Sequence, residues 1–268
     1  MFVNEMTYGM CLSGEGDMQG QKVLSRTRWN RKLGPEMSLL IDINDVWKKY
    51  PGIWPLKGVT FSVTAGRTVG ILGQNGSGKS TLFRILAGLT QPSEGDVLID
   101  GDVPGIRTKS LTAYLPELDP FYAWMTVEET LDFVAGFRDG WMQERALELV
   151  EVLELPLDRK VGALSRGQKG RLKVVSAFSW PSRLILMDEP LGGIDQPTRR
   201  RMLDVLFNQY RQEGQTTLIS THLVDEVEPF LDDVVFLKDG EITLAGDADV
   251  LRNERGANLG EIFVEVAT

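Results

Sequence analysis

The sequence has very little cysteine: Cys11 is the only one among 268 residues. A single thiol cannot form an intramolecular disulfide or a thiolate zinc site, so a disulfide-stapled secreted domain and a zinc-finger class are both excluded. A chain with so few thiols fits a reducing compartment. We therefore expect the cytoplasm as the simplest location.

Long apolar runs and an excess of basic residues are also missing. No uninterrupted apolar stretch approaches the roughly 18 to 20 residues that cross a bilayer. The first 20 residues lack the basic start and apolar stretch of a signal peptide. We expect any membrane association to be peripheral.

The balance of 29 Lys+Arg against 38 Asp+Glu gives a net charge of −9, which argues against nucleic acid as a partner.

The beginning of the chain differs in composition from the rest. Residues 1–36 contain few periodic apolar positions and several glycines, which predicts a disordered extension before a folded domain over 37–268. The abrupt change also raises the hypothesis that translation starts at Met37, which the intact mass of natively expressed protein would test. The extension carries a basic cluster, made of Lys22, Arg26, Arg28, Arg31 and Lys32.

From residue 58 onward, strand-like segments alternate with helical ones, which predicts an α/β fold with a mainly parallel sheet. A small antiparallel β region is expected near the start of the folded domain. Strand signals stop between about 117 and 180, so an inserted helical subdomain is predicted there. The predicted strands are Leu39–Ile43, Val59–Val63, Thr68–Leu72, Val97–Ile99, Leu184–Met187, Thr216–Ser220, Val234–Leu237 and Ile242–Leu244. Helices are predicted to begin near Lys79, Thr126, Met142, Gln168, Gln196 and Leu223.

A phosphate-binding pattern, G-x-x-x-x-G-K-[ST], lies between a predicted strand and a predicted helix, which indicates a P-loop NTPase core. Gly76 and Gly78 let the backbone wrap closely, so that consecutive amides face phosphate oxygens. Lys79 neutralises the β and γ phosphates, and Ser80 offers a hydroxyl to Mg²⁺. The pattern consists of Gly73, Gln74, Asn75, Gly76, Ser77, Gly78, Lys79, Ser80 and Thr81.

Two carboxylates follow the apolar strand predicted at Leu184–Met187. Ligands of α/β sheets bind at the carboxyl ends of strands, which places Asp188 and Glu189 beside the phosphate loop. Asp188 is predicted to hold Mg²⁺ through water. Glu189 is predicted to orient or deprotonate an attacking water molecule.

A third motif, Leu164-Ser165-Arg166-Gly167-Gln168, precedes Asp188, and the only histidine, His222, follows the strand predicted at Thr216–Ser220. In this order the motifs resemble those of the ATP-binding subunit of an ABC transporter, over about residues 39–245. The resemblance implies a Mg²⁺-dependent ATP hydrolase, with Lys79, Glu189 and His222 as catalytic residues. His222 would contact the γ-phosphate and steady the attacking water.

The same resemblance implies composite sites shared by two subunits. The motif residues Ser165, Gly167 and Gln168 would contact the nucleotide held by the phosphate loop of a second ATP-binding subunit, in a homodimer or a heterodimer. Asp195 would be an intersubunit contact, although it also suits the N-cap of the following helix. Tyr50 would stack on adenine. Trp47 and Trp54 lie nearby and are alternatives.

Two residues depart from the usual family pattern. Arg166 stands where glycine is commoner, and it either adds a cation near the phosphate or pairs with a surface carboxylate. Glu117 stands where glutamine is usual, and it is expected to accept from the water shell of the metal. Together with the short tail over 258–264, these variants look like the exporter branch with separate membrane subunits.

The resemblance thus implies a subunit that binds ATP and Mg²⁺, closes over them with its partner, and drives export through a membrane permease subunit. It would lie on the inner face of the cell membrane. The alternative is a soluble ABC-type ATPase that serves assembly or regulation without solute transport. An apolar, aromatic cluster is expected at the groove for the membrane subunit, although some of its members would instead only pack the helical subdomain. The cluster consists of Leu118, Pro120, Phe121, Tyr122 and Trp124.

Overall fold

A computed structural model describes residues 38–267 of the chain. The extension predicted over 1–36 and the candidate start at Met37 lie outside the described residues. Within 38–267, no helix combines the length and the apolar character that crossing a membrane requires.

Strands and helices alternate through most of the described chain, as an α/β fold requires. The strands are β1 (Leu39–Tyr50), β2 (Ile53–Thr64), β3 (Thr68–Leu72), β4 (Glu94–Ile99), β5 (Thr112–Leu115), β6 (Leu184–Asp188), β7 (Thr216–Thr221), β8 (Asp233–Lys238) and β9 (Glu241–Asp247). The helices are α1 (Lys79–Leu86), α2 (Ile106–Lys109), α3 (Val127–Ala135), α4 (Gln143–Val152), α5 (Arg166–Phe178), α6 (Gln196–Asp204), α7 (Val224–Val227), α8 (Ala248–Arg255) and α9 (Leu259–Ala267). A π-helical turn, Val205–Gln209, continues α6, and short 3₁₀ turns lie at Val161–Ala163 and Glu228–Phe230.

The predicted α/β class with two kinds of sheet is confirmed. A three-stranded antiparallel sheet has the order β2-β1-β4, and a six-stranded sheet has the order β5-β6-β7-β3-β8-β9. The first five strands in this order are parallel to one another. The sixth, β9, is the outermost strand and pairs antiparallel with β8. The carboxyl ends of the parallel strands therefore meet along one edge, called here the carboxyl edge, and their beginnings form the amino edge.

Hydrophobic side chains of the large sheet point alternately to two separate cores, because successive side chains of a strand face opposite ways. On β6, Leu186 packs into a cluster with Phe61 of the small sheet and Phe83 of α1. Its neighbour Met187 packs into the other cluster, which includes Phe178 at the end of α5. The large sheet is thus buried on both faces, as parallel sheets usually are.

Several predicted boundaries are wrong, each for a local reason. The helix predicted to begin near Gln168 begins at Arg166, because Ser165 caps it. Strand β4 starts three residues earlier than predicted, at Glu94; its first residues are polar and exposed, so they lack the alternation that marks a half-buried strand. By contrast, the start predicted near Leu223 is confirmed, since α7 begins at Val224; the helix is a single turn that ends before Pro229.

The stretch predicted as a helical subdomain, about 117 to 180, contains α3, α4 and α5 and no regular strand among its described residues. Helix α3 begins at a capping box in which Thr126 accepts from the amide of Glu129 at 3.1 Å and the Glu129 carboxylate accepts from the amide of Thr126 at 2.8 Å. Helix α5 leads from this stretch to β6, the second strand in the order of the large sheet.

Candidate functional site

The carboxyl edge brings three segments of the chain together. Leu72, the last residue of β3, is paired with Thr221 of β7, and Asp188 of β6 is paired with Ser220. The phosphate loop after β3, the Asp188–Glu189 pair and His222 therefore emerge side by side. A cluster of charged and hydroxyl side chains results where a parallel sheet binds ligands.

The phosphate loop adopts a path that only glycine allows at its end. Gly78 has a φ of 108°, and a Cβ there would collide with the carbonyl oxygen of Pro55 on β2. Helix α1 begins directly after it, at Lys79, with no acidic residue in its first turn. Because the first amides of a helix have no partner within the helix, this N-terminus suits an anion.

Lys79 is buried at the base of the loop. Its Nζ donates to the carbonyl oxygens of Gly73 at 2.7 Å and Gln74 at 3.1 Å. The same nitrogen lies 3.2 Å from Oε1 of Glu189. The ammonium therefore joins the phosphate loop to the carboxylate after β6.

Asp188 is buried and accepts from two hydroxyl groups. Oδ1 accepts from Ser80 Oγ at 3.0 Å and from Ser220 Oγ at 2.7 Å, while the hydroxyl of Tyr114 lies 3.5 Å from Oδ2. Burial raises the pKa of Asp188, and the hydrogen bonds from Ser220 and Ser80 oppose that rise. Burial and the nearby Asp188 charge raise the pKa of Tyr114 as well.

Ser80 and Asp188 provide a donor set that fits Mg²⁺. Both present oxygen atoms, which this ion prefers, and they already lie within hydrogen-bond distance of each other. Among residues 38–267, no group of three or more His, Cys, Asp or Glu side chains is arranged to hold a metal. Such a sparse protein donor set suits an ion that keeps several waters and shares phosphate oxygens.

Glu189 lies between Lys79 and His222. Its backbone is in the left-handed region, with a φ of 46°, which is uncommon for a residue with a side chain. The amide of Glu189 donates to Ser220, at 3.0 Å to Oγ and 3.1 Å to the carbonyl oxygen. Oε2 lies 3.1 Å from Nδ1 of His222. Hydrogen bonds to Ser220 of β7 thus stabilise the strained backbone of Glu189. In this conformation the carboxylate lies between Lys79 and His222.

Two buried polar atoms of this cluster have no hydrogen-bond partner among residues 38–267. They are the hydroxyl oxygen of Ser77 and Oε1 of Glu189, whose approach to Lys79 does not have hydrogen-bond geometry. Buried polar atoms in native proteins nearly always have partners, so each exception calls for an explanation, and a bound ligand or ion is one. The cluster is therefore incomplete as the chain alone provides it.

The side-chain hydrogen bonds of the Leu164–Gln168 motif are local to the motif. Ser165 and Gln168 form a capping box at the start of α5, with distances of 3.2 Å and 3.0 Å. None of the side-chain hydrogen bonds of the motif in the described chain reaches the phosphate loop. A Cβ on Gly193 would meet Nη1 of Arg166 at 3.3 Å, so the arginine lies against the segment that follows Glu189.

Asp195 forms the N-cap of α6, where Oδ1 accepts from the amide of Thr198 at 3.0 Å. The hydrogen bond from that amide lowers the pKa of Asp195. The structure thus gives Asp195 the capping role and leaves its carboxylate exposed. Its intersubunit role stays a prediction, as do those of Ser165, Gly167 and Gln168.

The aromatic candidates lie at the end of the β1–β2 hairpin. Trp47 and Trp54 form an edge-to-face pair with ring centroids 5.9 Å apart. Tyr50 is half-buried, and Lys48 Nζ lies 5.0 Å from the centre of its ring. Because Pro55 of the same hairpin touches the phosphate loop at Gly78, this hairpin borders the cluster. Among the residues that the structure describes, no other aromatic ring packs against Tyr50.

Glu117 is exposed, two residues after the end of β5. It takes part in none of the hydrogen bonds that Asp188 and Ser80 make within the described chain. The structure therefore does not join Glu117 to the pair that fits Mg²⁺. Its expected link to the water shell of the metal stays a prediction.

Sequence reasoning missed three residues around the site. Ser220 and Tyr114 contact Asp188, and Lys173 donates to the carbonyl oxygens of Pro116 and Glu117. Ser220 gave a usable signal, since it is a hydroxyl residue at the end of an apolar strand beside His222. Lys173 gave a signal too, because it falls among the apolar residues of α5.

Comparison with known proteins identifies relatives of the whole arrangement. A family model described as "ABC transporter" matches residues 56–192. The ABC transporter ATP-binding protein YxlF of Bacillus subtilis is 30% identical over 231 residues, which are 84% of this chain and 77% of that protein. The aliphatic sulfonates import ATP-binding protein SsuB of Pseudomonas putida is 38% identical over 200 residues, covering 74% of this chain and 72% of that protein.

Solved structures agree with these relatives. A structure described as the ATP binding subunit of an ABC transporter has a TM-score of 0.75 at 30% identity, and the match covers 85% of this chain and all of that one. The dimeric structure of MJ0796, a bacterial ABC transporter cassette, has a TM-score of 0.70 at 28% identity, covering 78% and 98%.

Proposed function

The chain belongs to the ABC transporter family as an ATP-binding subunit, and from that premise we propose that it hydrolyses ATP to drive solute export through separate membrane subunits. The observation that carries the proposal is the position of Glu189, held between Lys79 and His222 beside a phosphate loop. Residues 37–268 would form the ATP-binding domain, with a helical subdomain over about 117–180.

Binding of the nucleotide would use residues 73–81, with Tyr50 against adenine. Phosphate oxygens would accept from the amides at the start of α1 and from the ammonium of Lys79, which now rests on two carbonyl oxygens. Ser80 and Asp188 would hold Mg²⁺. When bound, that ion supplies positive charge that neutralises the phosphate oxygens.

Hydrolysis would use Glu189 as the general base. Its carboxylate would accept a proton from the water that attacks the γ-phosphorus, while the bond from that phosphorus to the β–γ bridging oxygen breaks. His222, 3.1 Å from Oε2, would keep the carboxylate oriented and contact the γ-phosphate. Lys79 would stabilise the charge on the transferred group.

A second ATP-binding subunit would complete the site. Ser165, Gln168 and Asp195 make local capping hydrogen bonds in the described chain and none to the phosphate loop. Together with Gly167, they would contact a nucleotide on a partner. The MJ0796 cassette, one of the structural relatives, is dimeric. Nucleotide would drive closure by binding the closed dimer more tightly than the open subunits.

The membrane subunit would dock on the aromatic residues that follow β5. Leu118 and Trp124 are 72% and 64% exposed, and the rings of Tyr122 and Trp124 stack with centroids 5.7 Å apart. Exposed apolar clusters of this kind mark interaction sites. The subunit would then lie on the cytoplasmic face of the cell membrane, as a peripheral component.

Export is the finer part of the proposal. Arg166 and Glu117 support it through their resemblance to the exporter branch, whereas SsuB, one of the relatives, is named as an import protein. Once the membrane partner and its solute are known, inside-out membrane vesicles decide the direction. Accumulation of the solute inside such vesicles on addition of ATP supports export, and ATP-driven loss from preloaded vesicles contradicts it.

The experiment that tests the function is purification of the tagged chain from gently solubilised native membranes, followed by mass identification of its partners. A polytopic membrane protein in fixed ratio is the expected result. Recovery of soluble partners alone would contradict transport and favour an assembly or regulatory ATPase. ATP hydrolysis by the purified complex, lost in Glu189→Gln, tests the enzymatic part.

A further inference from the structure

Lys173 is a buried lysine in the middle of α5, a position where the mechanism above does not use a charge. It is 9% exposed and has the buried residues Leu172, Val174 and Val175 beside it in the helix. Lysine is almost never buried to this extent without a partner. Burial lowers the pKa of Lys173, against the opposing charges of nearby carboxylates. An ammonium so costly to bury needs an explanation.

The partners of Lys173 are backbone groups of one loop. Its Nζ donates to the carbonyl oxygen of Pro116 at 2.7 Å and to that of Glu117 at 3.1 Å. These hydrogen bonds are partly buried and charge-assisted, and charge-assisted hydrogen bonds are stronger than neutral ones. A side chain of α5 therefore fixes the backbone of the segment Pro116–Asp119, which follows β5 and is called here the β5 loop.

The β5 loop leaves the sheet next to the candidate nucleotide site. Leu115, the last residue of β5, is paired with Met187 of β6, and Asp188 is the next residue of that strand. Helix α5 begins at the other candidate motif, because Ser165 is its N-cap. Lys173 thus joins a segment beside Asp188 to the helix that presents Ser165.

The β5 loop borders a cavity at Pro116. The cavity has a volume of about 180 Å³, with Phe121 and Trp180 also among its lining residues and Lys173 in its wall. A second link, from Lys169 to Asp119 at 2.9 Å, is partly exposed to solvent. Exposed ion pairs contribute little, so the buried ammonium is the stronger of the two attachments.

We propose that Lys173 is a positioning residue that ties the β5 loop to α5, so that nucleotide at the Asp188 site and the Ser165 end of α5 are mechanically connected. The inference deepens the proposed function and rests on it. In this proposal Lys173 contacts neither nucleotide nor metal, and it affects the rate at which bound ATP is hydrolysed by fixing the position of the β5 loop.

The test compares Lys173→Met with wild type in the full chain. Methionine keeps a similar length and loses all donors, so amide hydrogen exchange at Glu117, Leu118 and Asp119 should become about tenfold faster. The affinity for Mg-ATP, measured by titration, should stay within about twofold, because the phosphate loop is untouched. The kcat for ATP should fall about tenfold, because the loop no longer moves with α5.

Two further variants separate positioning from simple stability. Lys169→Met removes the other lysine that α5 directs at the same loop, and it should change exchange and kcat by less than about twofold. Lys173→Arg keeps a charged donor, and it should recover at least half of the wild-type kcat even if its thermal unfolding midpoint falls. Recovery of activity without recovery of stability is the outcome that a purely structural role does not produce.

If amide exchange in the β5 loop is unchanged in Lys173→Met, Lys173 does not fix that loop to α5. If exchange is faster but the kcat for ATP equals that of wild type, the link between the loop and α5 has no role in ATP turnover. If wild type and Glu189→Gln hydrolyse ATP equally, the proposed function fails instead. The tie is then judged by the loop exchange and by whether Mg-ATP protects the start of α5 in wild type but not in Lys173→Met.

Discussion

Both edges of the large sheet contain charged side chains with little exposure to solvent, but the edges differ in whether hydrogen bonds within the chain satisfy those charges. At the amino edge, Arg67 makes two hydrogen bonds of 2.7 Å to Asp233 and one of 3.0 Å to Asp247. At the carboxyl edge, Lys79 rests on carbonyl oxygens, and Oε1 of Glu189 has no hydrogen bond within the described chain. The chain completes the first arrangement by itself and leaves the second incomplete.

The titration of Arg67 reflects the completeness of the amino edge. Burial works against its charged form, but the hydrogen bonds and charges of Asp233, with Asp232 and Asp247, outweigh that cost and raise the pKa of Arg67. Asp232 also accepts from the amide of Thr68 at 2.7 Å, where β3 begins. One hydroxyl there, that of Thr68, is buried without a partner. The charges themselves are matched, which is the mark of a structural network.

The contrast between the edges indicates where binding energy can come from. A network whose members satisfy one another stabilises the fold and has little to gain from a ligand. The other cluster has a strained residue, Glu189, and oxygens without hydrogen bonds in the described chain. It gains those hydrogen bonds only when a ligand brings them. Substitutions at the carboxyl edge should therefore change nucleotide binding and turnover, and substitutions at the amino edge should change the free energy of unfolding.

The largest effect should come from Glu189→Gln, which breaks the carboxyl edge chemically and leaves its shape intact. The amide cannot accept the proton, so kcat should fall about 10³-fold while Mg-ATP still binds. Phosphate release and nucleotide titration measure the two properties. Glu154→Gln, at an exposed acid paired with Arg201, should hydrolyse ATP like wild type. A loss of less than tenfold in Glu189→Gln would remove Glu189 from the role of base.

Next in size is Arg67→Met, which breaks the amino edge. Asp233, nearly inaccessible to solvent, would keep a buried charge without its main partner, and the free energy of unfolding should fall by about 3 kcal/mol. Denaturant unfolding measures the loss. Arg183→Met, which removes an exposed ion pair with Asp100, should cost under about 1 kcal/mol. Equal losses in both variants would mean that burial of the Arg67 network has no special weight.

A smaller effect on binding is expected from Lys79→Ala. The ammonium makes charge-assisted hydrogen bonds, which contribute about 1.5 to 3 kcal/mol each, so the affinity for Mg-ATP should fall about 10- to 100-fold. Lys160→Ala, at an exposed lysine of the helical stretch, is the matched control and should bind like wild type. Normal affinity in Lys79→Ala would contradict the placement of phosphate on this loop.

The smallest effect distinguishes the aromatic candidates beside the carboxyl edge. Stacking of a base on an aromatic ring contributes about 1 to 3 kcal/mol, so Tyr50→Leu should weaken ATP binding about tenfold. Trp54→Leu should change it by less than about twofold, because that ring already contacts Trp47 edge-to-face. Titration of both variants with ATP decides between them. A stronger effect in Trp54→Leu would move the adenine contact to the tryptophan pair.

Much of the fold could be predicted because its signals are local. The strand Thr68–Leu72 is predicted with the observed bounds, since a short apolar run before a glycine-rich loop is unambiguous. Strand β5 is absent from the predicted set, because Thr112–Leu115 offers only four residues and no clear alternation. Helix α8 is missed as well; most of its residues are polar, and its start depends on capping by Asp247.

The candidate site was only partly predictable, for a different reason. Patterns along the chain point to Lys79, Asp188 and Glu189, because each lies in a short motif with its own spacing. The partners of those residues come from distant segments: Ser220 reaches Asp188 only because β6 and β7 are neighbours in the sheet. The loop contact of Lys173 depends in the same way on how α5 lies against β5. Contacts between segments that are distant in the sequence produce no motif with a recognisable spacing, so they could not be predicted from it.

The most direct test of the contrast between the edges is the gain in unfolding free energy on adding Mg-ADP at about 100 times its Kd for wild type. A ligand that binds only the folded state should add about 2.7 kcal/mol under that condition. Wild type and Arg67→Met should both gain about this amount, although they start from different stabilities. Lys79→Ala, whose affinity should be 10- to 100-fold lower, should gain only about 0.4 to 1.4 kcal/mol. A full gain in Lys79→Ala, or its loss in Arg67→Met, would contradict the division between a ligand-completed carboxyl edge and a self-completed amino edge.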